Sequence, residues 1–238
     1  MRLIDRWVGI PLCFFASFWP LKKAQADSNS TLATNIPPPD TIVFIGIAEI
    51  GALVVAYPAI KETRKQHPKS RICFITAPAG LQTLELMGFE KEDIFLLETS
   101  SIKSLLKGIV NIRSHFKGKR VSAIVLEPFT RFSTLLSAWI GASKRIGCYR
   151  FLNEGVYLGN ILTHRLVYNP HLHMSQTYFA LAKALIEPDS AKPLLKEYIP
   201  SQIKNRLKIN IPEKEQQTLM KRLQSELPKT PLKEIFNA

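Results

Sequence analysis

Cysteine is scarce in this chain: three among 238 residues, Cys13, Cys73 and Cys148, with no Cys-x-x-Cys pair. An odd, scattered set excludes a disulfide framework and a cysteine-built zinc site, and fits a reducing, cytoplasmic setting. Glycine is scarce too, at 11 residues, too few for a collagen-like or glycine-rich repeat. Neither a Gly-x-Gly-x-x-Gly run nor a glycine loop followed by Lys-Ser or Lys-Thr occurs, so the dinucleotide and phosphate-loop fingerprints are absent. Acids are few, 19 against 32 lysines and arginines, leaving a formal charge of +13. That excess predicts an anionic partner: nucleic acid, a membrane surface or a phosphorylated substrate. No helix-turn-helix, zinc finger or RNA-binding aromatic motif accompanies the cations, which makes nucleic acid the weakest of the three.

A long apolar run is also missing. Residues 3–21 are mostly apolar and rich in aromatics (Trp7, Phe14, Phe15, Phe18, Trp19), but Asp5, Arg6, Pro11 and Pro20 cut the run to about 13, short of a full span. Three readings compete for this segment. One is a transmembrane span. Another is a secretory signal with Ala24-Gln25-Ala26 as its cleavage site, against which Lys22 and Lys23 crowd that site. The third, a monotopic helix in residues 1–26 lying at the inner-membrane surface, accounts for the aromatic and basic residues together and leads. Residues 27–40, with the Pro37-Pro38-Pro39 run, then form an extended linker.

What is present is a core-forming chain, 46% apolar and 21% charged, long enough for one large domain. From Thr41 the pattern alternates. Apolar runs at 41–45, 71–75, 94–97 and 121–126, and a brief one at 145–148, predict buried parallel strands. Between them lie helical stretches at 52–66, with Pro58 expected to kink the helix or shift its start, at 79–87 ending at Gly88, at 101–116 capped by Ser100 or Ser101, and at 131–140. This alternation predicts an α/β, doubly wound parallel sheet over 41–187. Residues 188–238 are charged and proline-punctuated, with a helix expected over 213–227 and a strand just beginning at 233–236; they read as a linker or arm.

In such folds ligands bind at the carboxyl ends of the strands, which makes the loop Gly46-Ile-Ala-Glu-Ile-Gly51 the first candidate. Gly51 before a helix would let backbone N–H groups face an anion, or else mark an ordinary turn. Glu49 is the only charged residue between Asp40 and Lys61, a candidate general base or a solvated loop glutamate. Glu127 ends the fourth strand, and Arg131 four residues later is placed to pair with it, as a functional or a structural pair. Further cations gather in the late segments: Lys144, Arg145, Arg150, His164, Arg165, and the pair His171 and His173. The His-x-His pair has no third ligand at usable spacing, so no metal site is expected, and it is read as starting a helix at Met174 or contacting a phosphate. Residues 101–120 carry six cations and no acid on an amphipathic helix, which suits anionic lipid or simply a solvated face.

Several stretches together resemble the bacterial lipopolysaccharide heptosyltransferases, glycosyltransferase family 9. These are residues 44–60 with the Pro-Ala pair, 71–80, 135–147 with Gly-Ala-Ser-Lys-Arg-Ile-Gly, and His164-Arg-Leu-Val-Tyr-Asn-Pro-His-Leu-His-Met174. The resemblance covers residues 41–187 and includes a leader similar to that of a membrane-anchored branch. It implies the Rossmann-like, acceptor-binding N-terminal half of a GT-B enzyme, with the C-terminal donor domain largely absent. The implied activity is metal-independent, inverting transfer of heptose from ADP-heptose to the lipid A–core acceptor at the cytoplasmic face of the inner membrane, with no other cofactor. Gly51, Arg131, Lys144, Arg145, Arg150, His164, Arg165, His171 and His173 are the expected acceptor contacts. Many family members carry an aspartate base directly after the turn glycine, where this chain has Ala52. Glu49, from the same loop, and Glu127 are the substitute candidates for the base. The missing donor half implies either a transferase completed in the native gene or by a second chain, or a truncated, non-catalytic module that only binds anionic glycolipid.

Overall fold

The computed structural model describes residues 9–18, 38–47, 50–151, 156–187 and 213–226. Six parallel strands form one sheet: β1 (Thr41–Ile45), β2 (Arg71–Thr76), β3 (Ile94–Leu96), β4 (Val121–Val125), β5 (Lys144–Phe151) and β6 (His164–Tyr168), in the order β3-β2-β1-β4-β5-β6. The order reverses between β1 and β4, the doubly wound Rossmann-like pattern. β1 is apolar throughout because both its faces are covered. Ile42 and Phe44 join Ile72, Phe74 and Ile124 on one face, whereas Val43 and Ile45 join Cys73, Ile75 and Ala123 on the other.

The helices are α1 (Gly9–Phe18), α2 (Ile50–Val55), α3 (Tyr57–Gln66), α4 (Leu81–Leu86), α5 (Ile102–Phe116), α6 (Arg131–Trp139), α7 (Met174–Lys183) and α8 (Glu213–Glu226). The first sheet face packs against α2, α3, α4 and α7, the second against α5 and α6. α1 rides on α6. α8 belongs to a separate unit of the chain and is a solvated helix with an Arg222–Glu226 pair one turn apart.

Most element expectations hold, with instructive departures. The helix expected over 52–66 is two helices, broken at Ala56, with Pro58 in the first turn of α3. That is where a proline's missing N–H has no intrahelical duty. Ser101 caps α5, its hydroxyl accepting the Ser104 N–H at 3.1 Å. The helix expected over 79–87 opens as a 3-10 turn, Pro78–Gly80, before α4. The fifth strand is eight residues rather than a brief run, and β6 is a strand that the apolar pattern does not announce. His164, Arg165 and Tyr168 hide it; pairing with β5 supplies what the pattern lacks. Among the described residues no helix is long and apolar enough to cross a membrane. The Ala24-Gln25-Ala26 site, most of the 27–40 linker and the strand expected at 233–236 lie outside the described residues.

Candidate functional site

The loops that follow β1 and β4 flank the switch point of the sheet, where ligands bind in folds of this kind. Gly46 continues β1, its N–H donating to the Ile75 carbonyl at 3.0 Å, and Leu126 continues β4 by donating to the Ile45 carbonyl at 2.9 Å. A Cβ on Gly46 would stand 3.2 Å from Leu53 and 3.3 Å from Leu126, so the two loops are closely packed here. Glu127 joins them. It is 8% exposed; one carboxylate oxygen accepts the Ile47 N–H at 2.8 Å, and the other accepts the hydroxyl of Ser133 on α6. Two residues on, Phe129 has φ of 61°, a left-handed conformation unusual for a bulky side chain, and its ring meets Tyr168 edge-on at 5.4 Å. Backbone strain of this kind, of order 1–3 kcal/mol, concentrates at functional sites. Neither Phe129 nor Tyr168 is a residue type that sequence reading flags as chemistry; only the backbone angle singles the first one out.

The site residues expected from sequence divide by sheet edge. At the carboxyl edge stand Glu127, Arg131, His171 and His173, with Gly51 in the first turn of α2. Arg150 lies on β5, and Glu49 lies outside the described residues. Gly51 faces open space, and its backbone needs no glycine. Arg131 begins α6, is 8% exposed and donates from Nε to the Tyr157 carbonyl at 3.1 Å. His173 caps α7: its Nδ1 accepts the Ser175 N–H at 3.2 Å, while its own N–H donates to the Gln176 side chain at 3.1 Å. It starts the helix at Met174, one of the two roles anticipated for it. His171 has an exposed side chain, and its N–H donates to the Asn169 side chain at 2.9 Å.

Lys144, Arg145 and His164 go to the opposite, amino edge, and they are buried there. Lys144 Nζ donates to the carbonyls of Leu185 at 2.8 Å and Glu187 at 2.9 Å. Arg145, among the largest fully buried side chains, donates from Nε to the Ile161 carbonyl at 2.6 Å and from its guanidinium to the Ala142 carbonyl. His164 Nε2 donates to the Glu187 carbonyl at 3.0 Å, which leaves Nδ1 to accept the Thr163 hydroxyl at 2.8 Å. All three groups satisfy main-chain carbonyls: Lys144 and His164 hold the segment after α7 to the sheet, and Arg145 ties the loops on either side of β5; burial removes them from any acceptor. Sequence placed them near the late loops because it could not tell which end of β5 and β6 they occupy. Arg165 is half-buried, bonded to the Asn160 side chain at 2.9 Å and stacked over the Tyr149 ring at 4.8 Å. Burial also pushes the thiols of Cys73 and Cys148 up to about 12, so neither is a nucleophile at neutral pH. No three His, Cys, Asp or Glu side chains among the described residues converge as a metal would require.

No family model matches the sequence, and no curated protein matches it. Solved structures do match. The ADP-heptose LPS heptosyltransferase II of E. coli aligns with TM-score 0.54 and 16% identity, over 77% of this chain and 50% of that one. The glycosyl transferase family 9 protein of Veillonella parvula aligns with TM-score 0.54 and 15% identity, over 80% and 51%. E. coli heptosyltransferase WaaC, solved with ADP-2-deoxy-2-fluoro heptose, gives TM-score 0.49 at 10% identity, over 64% and 50%. The chain spans about half the length of these solved structures. At such identities the likeness is one of fold: a parallel, Rossmann-like α/β sheet shared with one half of these glycosyltransferases.

Proposed function

We propose that this chain is the acceptor-side half of a glycosyltransferase of the heptosyltransferase kind, working at the cytoplasmic face of the bacterial inner membrane. The observation that carries the reading is the switch point of a β3-β2-β1-β4-β5-β6 sheet, where Glu127 bridges the two loops and the strained Phe129 stands beside them. The shared fold, the excess of cations and the apolar N-terminal helix support it. The donor would be a nucleotide sugar, ADP-heptose by resemblance, and the acceptor a lipid A–core glycolipid. In the inverting, metal-independent reaction the acceptor hydroxyl oxygen bonds to the anomeric carbon while the bond from that carbon to the phosphate oxygen breaks. ADP departs with the electron pair, and a carboxylate takes the hydroxyl proton. Glu49 is the proposed base, because it belongs to the loop after β1. Glu127, with an N–H and a hydroxyl already on its two oxygens, is proposed to hold that loop in place. The donor-binding half would come from further sequence or a second chain.

The test is sugar transfer from ADP-heptose into lipid A–core acceptor by the purified full chain, supplied with any donor-domain partner. Product formation that Glu49→Gln abolishes supports the reading; full turnover by that variant removes Glu49 as the base. Ala52, 7% exposed inside α2 where many relatives of this kind place an aspartate, favours one second reading, a module that binds anionic glycolipid without transferring sugar. Acceptor affinity with no product in the same assay would select it.

A further inference from the structure

α1 is built inside out. A helix on a water-soluble domain turns its apolar side to the core and its polar side to solvent. Here the side against the domain is Gly9, Cys13 and Ser17. Ser17 accepts the Asn160 N–H at 3.0 Å and donates to the Cys13 carbonyl at 2.7 Å. Glycines on both partners permit the approach: a Cβ on Gly9 would stand 2.8 Å from Arg131 Cδ, and one on Gly159 2.7 Å from the Cys13 carbonyl oxygen. The outward arc, Ile10, Pro11, Leu12, Phe14, Phe15 and Phe18, contains no polar residue and faces away from the domain, with Phe15 67% and Phe18 73% exposed.

α1 does not stand alone on its side of the sheet. It packs on α6, and α6 shares that sheet face with α5. At the helical period Ile102, Leu106 and Val110 make one exposed stripe along α5, flanked by the exposed Lys103 and Lys107. Trp139, at the end of α6, is 48% exposed and lies under the Arg113 guanidinium at 5.1 Å. No acid occurs between residues 102 and 120.

We propose that this side of the sheet is a lipid-docking surface for an anionic bilayer. The outward arc of α1 enters the acyl boundary, Trp139 sits at the headgroup level, and the α5 lysines meet lipid phosphates. The charge pattern chooses this occupant. A second copy docked about a two-fold axis would set the α5 cations against one another, whereas an anionic headgroup layer complements them. The proposal rests on the membrane-surface reading above and gives it a face. Because α1 meets Arg131 at the carboxyl edge, that face borders the switch point of the sheet.

The experiment is co-sedimentation of the full chain with vesicles of phosphatidylcholine, with and without phosphatidylglycerol, and with no glycolipid present. Phe15→Ser with Phe18→Ser should cut partitioning at least tenfold on both. Lys103→Glu with Lys107→Glu should weaken binding several-fold only on the anionic vesicles and flatten its salt dependence. Unchanged partitioning of the phenylalanine variant would overturn the proposal. So would a concentration-dependent doubling of mass that the same variant abolishes, since a second copy would then cover the face. Transfer to a soluble, de-acylated acceptor is scored separately: activity there with no vesicle binding defeats the docking face alone, and vesicle binding without any transfer defeats the sugar chemistry alone.

Discussion

Glu127 illustrates how burial changes what a carboxylate is for. Read in sequence, it is an acid at the end of a strand and a candidate base. In the fold its oxygens receive the Ile47 N–H and the Ser133 hydroxyl, tying the β1 loop to α6. Removing the carboxylate leaves two buried donors without an acceptor, so Glu127→Ala should cost about 2 kcal/mol. Glu127→Gln keeps an acceptor for Ile47 and should unfold close to the parent in urea. Comparing the two denaturation curves checks the bridge, and equal midpoints for both variants would refute it. Lys144 is a second case. Its Nζ serves two carbonyls, and its charge acts on His67, whose imidazole is held below its ordinary pKa of 6.5 by burial first and by Lys144 second. Lys144→Met should therefore raise the His67 pKa part of the way back, read by NMR titration of the ring protons, and should lower stability by about 3 kcal/mol through the lost charged hydrogen bonds.

At the scale of elements, the docking of α1 is the feature with the most consequences. Cys13 is fully buried between α1 and the domain. A maleimide should label it in the native protein no faster than Cys73 or Cys148, which are also buried. Fast labelling of Cys13 alone would mean that α1 swings free as a leader. Gly159 gives the matching perturbation, since its φ of 60° and its closeness to the Cys13 carbonyl both exclude a side chain. Gly159→Ala carries about 1–2 kcal/mol of left-handed strain. It should loosen α1 and raise the Cys13 labelling rate at least tenfold while leaving Cys73 and Cys148 protected.

For the whole molecule, the pH dependence of stability follows from the histidines. His67 and His115 both have pKa values lowered by burial, with neighbouring cations adding to it. Below 6.5 the unfolded chain takes up protons that the folded chain resists, so stability is full above that pH and declines as pH falls through the folded values. Urea midpoints at pH 7.5 and 5.5 should differ, the acid sample unfolding first. His67→Gln should remove part of that difference. An identical slope in the variant would place the titration elsewhere.

The order of strands and helices was legible in the amino acids themselves, because residues buried on both faces leave continuous apolar runs at strand length, and proline, glycine and serine punctuate them. Four of the six strands, the break near Pro58 and the Ser101 cap could be read that way, and the fifth strand in part. β6 could not, since His164 and Arg165 interrupt its pattern and its stability comes from lying beside β5. The candidate site was legible only as a place, the carboxyl edge after β1 and β4. Which cations reach that edge was decided by topology: a residue at the start of a parallel strand and one at its end look alike in sequence but stand at opposite edges of the sheet. Lys144, Arg145 and His164 lie at the first kind of position and bind carbonyls, whereas Arg131 and His173 lie beyond strand ends. The apolar character of the N-terminal helix was fixed by composition; that its glycine–cysteine–serine side is the one turned inward was fixed by the close approach of Gly9 and Gly159. Local sequence sets what each element is, and only packing sets which of its faces and ends remain for chemistry.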